Sequence, residues 1–424
     1  MHPVWILCLT ITVSTSCWAA ETTRLAIAPD VYNGLRGVQP ESQQAVERFA
    51  EAQQAAERGE ASHALRLVHE ALALDPDHRA ARRLLGYEWL DGAWVTPYQR
   101  DQARRGYRWD ARYGWVKPED LSRYAAGERP DGRRWVSAAE VQERRDPIDE
   151  GWQVRTDHFL VTTNHSLEAG AALAAELENL YQLWRQRFAG YWATDREVRQ
   201  LLAGDRVVPK PSRPFRVVYH RDKQGYVEHL RRRQPRIEET LGIYFDTLRA
   251  AHFYHAEEPA EAARLRPTLY HEAVHQMFQE SAPKARAAGE NANFWVIEGV
   301  ACWFETLRPA EPGWYTIGRG GRLASAAQIA SPLPIAELTA WGQSDLQRQP
   351  NLAQVYAQAT ALVAMLAEQQ PETLVRYLKG VYYSRPDGAE LSRLADQSYA
   401  ELDDAYRRFA AERLPELAAV PAGH

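Results

Sequence analysis

Residues 152–163 alternate apolar and polar positions as a half-buried strand does, with Phe159 and Val161 on one face and Leu160 on the other. A helical spacing follows over 168–188, where Leu173, Leu177, Leu180 and Leu183 recur on one side. Residues 194–214 read as a polar, proline-containing connection, Phe215–His220 as a second strand and 222–232 as a second helix. Residues 244–255 read as strands, and 264–281 as a buried helix whose apolar contacts come from Leu269, Val274, Met277 and Phe278. Pro267 suits a first helical turn, where its missing N–H costs nothing, and Pro283 stops the helix. An apolar run over 293–305 and further periodic stretches over 371–383 and 391–414 add helices. Strands and helices alternate first and helices dominate later, which is an α+β pattern.

The N-terminal part has a different texture. Residues 45–87 place Ala52, Ala56, Gly59, Ala64, Ala71 and Leu72 where two packed helices need small or apolar positions, and Leu74-Asp75-Pro76 closes the second. A third helix is expected to run from 77–79 to Tyr87. The helical pair resembles one tetratricopeptide unit. A lone unit cannot bury a continuous core and must pack on its neighbours. Next, Trp94-Val95-Thr96-Pro97, Trp115-Val116-Lys117-Pro118 and Trp135-Val136-Ser137-Ala138 recur about every 20 residues, with Gly92, Gly114 and Gly132 nearby. This predicts short strands or hairpins with a Trp–Val core pair, each followed by a short helix such as 118–124.

At 424 residues the chain has room for several units. The expected division is a leader over 1–20, a helical segment over 41–90, a Trp-rich repeat region over 91–150 and a main domain over 151–420. A net charge of −5 gives no case for nucleic-acid binding. The apolar run 4–13, followed by Cys17-Trp18-Ala19-Ala20, has the form of a secretory signal peptide, so no stable membrane span is expected after its removal. Of the three cysteines, Cys8 and Cys17 fall in that leader, leaving Cys302, read as a small core residue, with no partner for an intramolecular disulfide. An exported, periplasmic or extracellular bacterial protein fits this usage.

The chemistry concentrates at His271-Glu272-Ala273-Val274-His275. Residues i and i+4 of a helix share a face, so both imidazoles reach one metal ion, and the adjacent carboxylate stands beside its open side as a general base. A catalytic zinc site needs a third protein ligand. No glycine–histidine continuation follows His275, and no Asp occurs before Asp345. What remains is a Glu on a following helix, and Glu298 lies in an apolar run beside Gly299 and Ala301, where a carboxylate is costly to bury unless paired or metal-bound. Glu305, seven residues on, either orients a ligand His or is an ordinary paired Glu. His252 and His255 are read as non-ligands.

Trp295-Val296-Ile297-Glu298-Gly299-Val300-Ala301 resembles the W-x-x-E-G-x-A element of the aminopeptidase N family of gluzincins, and the stretch with the following Trp-Phe-Glu is similar to bacterial peptidase MA-like proteins. The resemblance implies a thermolysin-like zincin catalytic domain with a small sheet and active-site helices. It implies Zn2+ on His271, His275 and Glu298, with Glu272 as base. It also implies an oxyanion-binding tyrosine, for which Tyr356 stands in a similar place, although the family's Gly is Ala359 here; Tyr315 is the poorer alternative. By the same resemblance, a strand within 244–255 forms a sheet edge that binds extended peptide. The expectation is an exported zinc metallopeptidase acting on peptides or proteins, with endopeptidase favoured because no G-x-M-E-N element lies upstream. Its helical repeat offers a surface for a protein partner. The competing expectation is a non-catalytic extracytoplasmic scaffold that works through the repeat and Trp-rich regions.

Overall fold

The computed structural model describes residues 23–35, 42–204, 213–282, 287–383 and 389–418. The expected leader 1–20 and Pro283 lie outside the described residues. Architecture is mixed helix and sheet, in line with the α+β pattern, with helices predominating.

The chain begins with a short strand, β1 (Arg24–Ala26), whose Leu25 and neighbouring Ile27 are buried in the main core. Two antiparallel helices follow, α1 (Gln43–Glu57) and α2 (Ala61–Leu74), packed through Ala52, Ala55, Ala56, Ala64 and Leu65. The third helix is shorter than expected, Arg79–Leu84, and Tyr87 lies beyond it, buried, with the Arg82 guanidinium over its ring. Each Trp-rich unit is a two-stranded hairpin followed by a short helix, as the repeat predicts. The hairpins pair Glu88–Leu90 with Ala93–Val95, Arg108–Asp110 with Gly114–Val116, and Glu128–Asp131 with Arg134–Ser137. Asp91 and Gly92 both have positive φ, the geometry a two-residue hairpin turn requires. Thr96 and Ser137 then cap the helices that follow.

Residues 152–163 form two strands rather than one: β2 (Trp152–Arg155) and β3 (Phe159–Thr163) pair antiparallel. The break is a turn whose polar groups are captured elsewhere. Asp157 accepts from the Tyr32 hydroxyl at 2.5 Å, from Gln99 at 3.2 Å and from Thr96. Helix α3 (Leu167–Arg187) covers the sheet. The expected connection 194–214 begins instead with a helix, Asp195–Leu202, started by a capping box between Thr194 and Glu197. Strands β4 (Phe215–His220), β5 (Ile243–Phe245) and β6 (Ala250–Tyr254) complete a five-stranded sheet of order β5-β6-β4-β3-β2. β4 runs parallel to both β3 and β6, whereas the edge strands β5 and β2 are antiparallel to their neighbours.

Helix α4 (Pro259–Ser281) starts about one and a half turns earlier than expected, with Pro259 in its first turn and Pro267 inside it. The alanines between Pro259 and Pro267 are strong helix formers, so the helix tolerates the one backbone bond that Pro267 removes. Helix α5 (Phe294–Phe304) is buried along its whole length. β7 (Arg308–Pro309) and β8 (Trp314–Thr316) then form a three-stranded sheet with β1, in the order β1-β8-β7. β1 and the residue that follows it are thus part of the main core. Helices α6 (Leu352–Gln369) and α7 (Pro371–Tyr383) pack beneath α5. The last expected helix is split into Leu391–Ala395 and Tyr399–Glu412 at Asp396, whose φ is 53°. Among the described residues no helix is long and apolar enough to cross a membrane.

Gly299 sets the spacing between α5 and α6. A Cβ there would stand 2.8 Å from the Ala359 carbonyl oxygen and 2.9 Å from Val363 Cγ2. The small residue beside Glu298 therefore permits close approach to α6.

Candidate metal centre

His271 and His275 lie one turn apart on α4, with their Nε2 atoms 3.0 Å apart and their rings nearly perpendicular at 79°. Glu298, from α5, brings Oε2 to 3.5 Å from His271 Nε2 and Oε1 to 3.7 Å from His275 Nε2. The three side chains thus point donor atoms at one small volume. A tetrahedral ion with ligands at ~2.0–2.1 Å has ligand–ligand edges of about 3.3 Å, so the donor set fits a zinc ion in both chemistry and spacing.

The arrangement is braced from behind. His271 Nδ1 lies 2.8 Å from Glu305 Oε1, and Arg322 grips that carboxylate through Nε at 3.1 Å and Nη2 at 3.4 Å. With Nδ1–H donated to Glu305, Nε2 keeps its lone pair for the centre. Cys302 is buried as expected, but it also lines the site, with Sγ 3.9 Å from His271 Nδ1. Glu272 is fixed by the edge strand, because Tyr244 N–H donates to its Oε2 at 2.8 Å.

The electrostatics follow from burying several titratable groups together. Burial pushes the Glu272 carboxyl up to about 7, against the pull of His271 and the Tyr244 N–H. Burial pushes His275 down to about 4. For Glu298, burial acts upward but the neighbouring His275 and His271 prevail and hold it below the usual carboxylate range. Burial acts downward on His271, yet contacts with Cys302, Glu298 and Glu305 lift it well above an ordinary imidazole.

Tyr356 stands on α6, half-buried, with the Arg322 guanidinium 5.4 Å from its ring centre. Burial and then the Glu298 charge raise its hydroxyl pKa, which puts it within electrostatic reach of the centre. Tyr315 is elsewhere: it lies on β8, and burial and then the Glu176 charge raise its hydroxyl pKa. His252 is buried beside His220, at 3.3 Å between Nδ1 and Nε2. His255 is not part of the His271 group either; it lies against His165.

Residues 266–386 match the model of DUF1570, a family of unknown function. That stretch holds every residue of the centre: His271, Glu272, His275, Glu298, Cys302, Glu305, Arg322 and Tyr356. No curated protein matches the chain. The DUF1570 match leaves out the N-terminal helical pair, the Trp-rich hairpins and β2 to β6. Tyr244, which holds Glu272, therefore comes from outside it. Sequence reasoning missed Arg322 and the Tyr244 N–H. Neither has a spacing signal, since each meets the centre only through tertiary packing.

Proposed function

We propose that this protein is a zinc-dependent metallohydrolase of the gluzincin type, cleaving peptide bonds. The observation that carries this reading is the convergence of His271, His275 and Glu298 on one point, with Glu272 beside them as a carboxylate that none of the three needs for its own support. A structural zinc site would have four protein ligands and no use for a base.

His271, His275 and Glu298 would hold the ion. Bound there, the ion supplies Lewis acidity toward a carbonyl oxygen and toward water. Glu272 takes the proton from the attacking water and returns it to the leaving amine. The Tyr244 N–H keeps the Glu272 carboxylate from rotating away. Glu305 and Arg322 hold the His271 ring in orientation. The Tyr356 hydroxyl, protonated at neutral pH as any phenol is, donates to the oxygen on which negative charge develops. β5 is a sheet edge next to α4, so an extended peptide adding to that edge would run alongside Glu272. Export by the N-terminal leader belongs to the same reading.

The test compares wild type, Glu272→Gln and His275→Ala for bound zinc and for hydrolysis of a broad peptide library. Glu272→Gln should keep the zinc that His275→Ala loses, while its hydrolysis falls by about 10²–10⁴-fold. Wild type that binds no zinc sinks the site assignment. Zinc at the centre with no turnover on any peptide favours the scaffold instead.

A further inference from the structure

β3, β4 and β6 run parallel, so their C-terminal ends emerge on one side of the sheet, with β4 in the middle. Ligands commonly bind where parallel strands end. All three strands contribute here. His165 follows β3 by two residues, Tyr219 belongs to β4, and His255 follows β6 directly. Glu257 comes two residues later, just before α4 begins.

The two imidazoles lie face to face, with ring centres 3.8 Å apart and planes inclined by 34°. Each has its far nitrogen engaged: His165 Nδ1 with Ser166 Oγ at 2.9 Å, and His255 Nδ1 with the Tyr219 hydroxyl at 3.0 Å. Both Nε2 atoms are left toward the same carboxylate. His165 Nε2 is 3.2 Å from Glu257 Oε1, and His255 Nε2 is 4.0 Å from Glu257 Oε2. An imidazole held through Nδ1 and open at Nε2 is the usual form of a metal-ligating histidine.

We propose that His165, His255 and Glu257 form a second site for a divalent transition-metal ion, separate from the His271 centre and independent of the hydrolase reading. Two imidazoles and one carboxylate suit Zn2+, Co2+, Ni2+ or Cu2+, whereas Mg2+ and Ca2+ require sets of oxygen ligands. The remaining coordination positions face solvent, since the Glu257 side chain is exposed. The ion ties the end of β3 to the end of β6 across β4 and anchors the entry to α4, the helix that carries His271 and His275. Its role is to stiffen that entry.

The experiment titrates chelator-stripped full-length protein with Zn2+ and with Co2+, following heat of binding, bound metal per chain and thermal unfolding. Wild type should bind two equivalents. His275→Ala, which disables the His271 centre, should keep one. The double variant His165→Ala/His255→Ala should also keep one, with affinity for the lost equivalent down at least tenfold and the corresponding rise in unfolding temperature gone. Glu257→Gln, on an exposed side chain that folding does not need, should weaken the same equivalent severalfold and serves if the double variant fails to fold. A single equivalent in wild type, or two equivalents of unchanged affinity in the His165/His255 and Glu257 variants, overturns the proposal. Loss of both equivalents in His275→Ala also overturns it, since the second site would then not be separate. The His165/His255 and Glu257 variants leave the His271 centre intact, so failure here is distinguishable from failure of the hydrolase reading.

Discussion

Replacing Gly299 by Ala tests the packing that positions Glu298. The added methyl would stand 2.8 Å from the Ala359 carbonyl oxygen and 2.9 Å from Val363 Cγ2. Against the 3.4 Å at which ordinary contact begins, the first is short by about 0.6 Å, which a close-packed interior cannot absorb without movement. Val363 can rotate, but the Ala359 oxygen is backbone, so α5 and α6 must part. Overpacking of this kind costs ~1–3 kcal/mol. Alanine's better helix propensity returns about 1 kcal/mol. The expected net loss is therefore about 0–2 kcal/mol, read from urea unfolding midpoints with an unchanged slope. The same movement displaces Glu298 relative to His271 and His275 by more than the ~0.2 Å that metal–ligand distances tolerate. Zinc affinity, measured by competition with a chelator, should fall by about tenfold or more. Gly225→Ala is the control. Gly225 lies in the helix Lys223–Leu230, and the nearest atom to an added Cβ, Asp222 Oδ1, is at 3.5 Å. There only the propensity gain applies, at most ~1 kcal/mol of stabilisation. If Gly299→Ala stabilises as Gly225→Ala does and leaves zinc affinity unchanged, the close α5–α6 approach does not position the carboxylate.

Glu305→Gln keeps the shape of the brace but weakens the acceptor for His271 Nδ1, and should lower zinc affinity by about 10–100-fold in the same chelator competition. Tyr377→Phe strips the buried hydroxyl that donates to Asn293 Oδ1 at 2.5 Å and accepts from Trp295 Nε1 at 3.1 Å. Leaving those groups unpaired should cost about 1–3 kcal/mol in urea unfolding. His69 is pushed down to about 3 by burial and then by Arg185 and Arg82, so the fold holds it neutral. Its folded pKa lies below its unfolded one, so its contribution to stability is present above about pH 6.5 and is lost as pH falls toward 3. At pH 5 that loss is about 2 kcal/mol. His69→Leu should narrow the gap between unfolding midpoints at pH 7.5 and pH 5, and an unchanged gap would show that His69 does not carry it.

The parts legible in the sequence are those that depend on local periodicity. Helical spacing alone puts His271 and His275 on one face, because i and i+4 are neighbours on any helix. Twenty-residue recurrence of Trp-Val with nearby glycine marked the three hairpin-helix units, because a tight turn and its flanking strands are written within about ten residues. Glu298 stood out because a carboxylate in an apolar run demands a partner. Local pattern failed where distant groups intervene. Asp157, held by Tyr32, Gln99 and Thr96, turns one alternating stretch into two strands. Pro267 sits inside a helix whose start was set by Pro259 and the alanines after it. Only the tertiary structure decided that β1 belongs to the core, that Arg322 and Glu305 brace His271, that Tyr244 holds Glu272, and that His165 meets His255. Those pairings depend on strand order and on which helix faces lie against each other, and spacing along the chain carries no record of either.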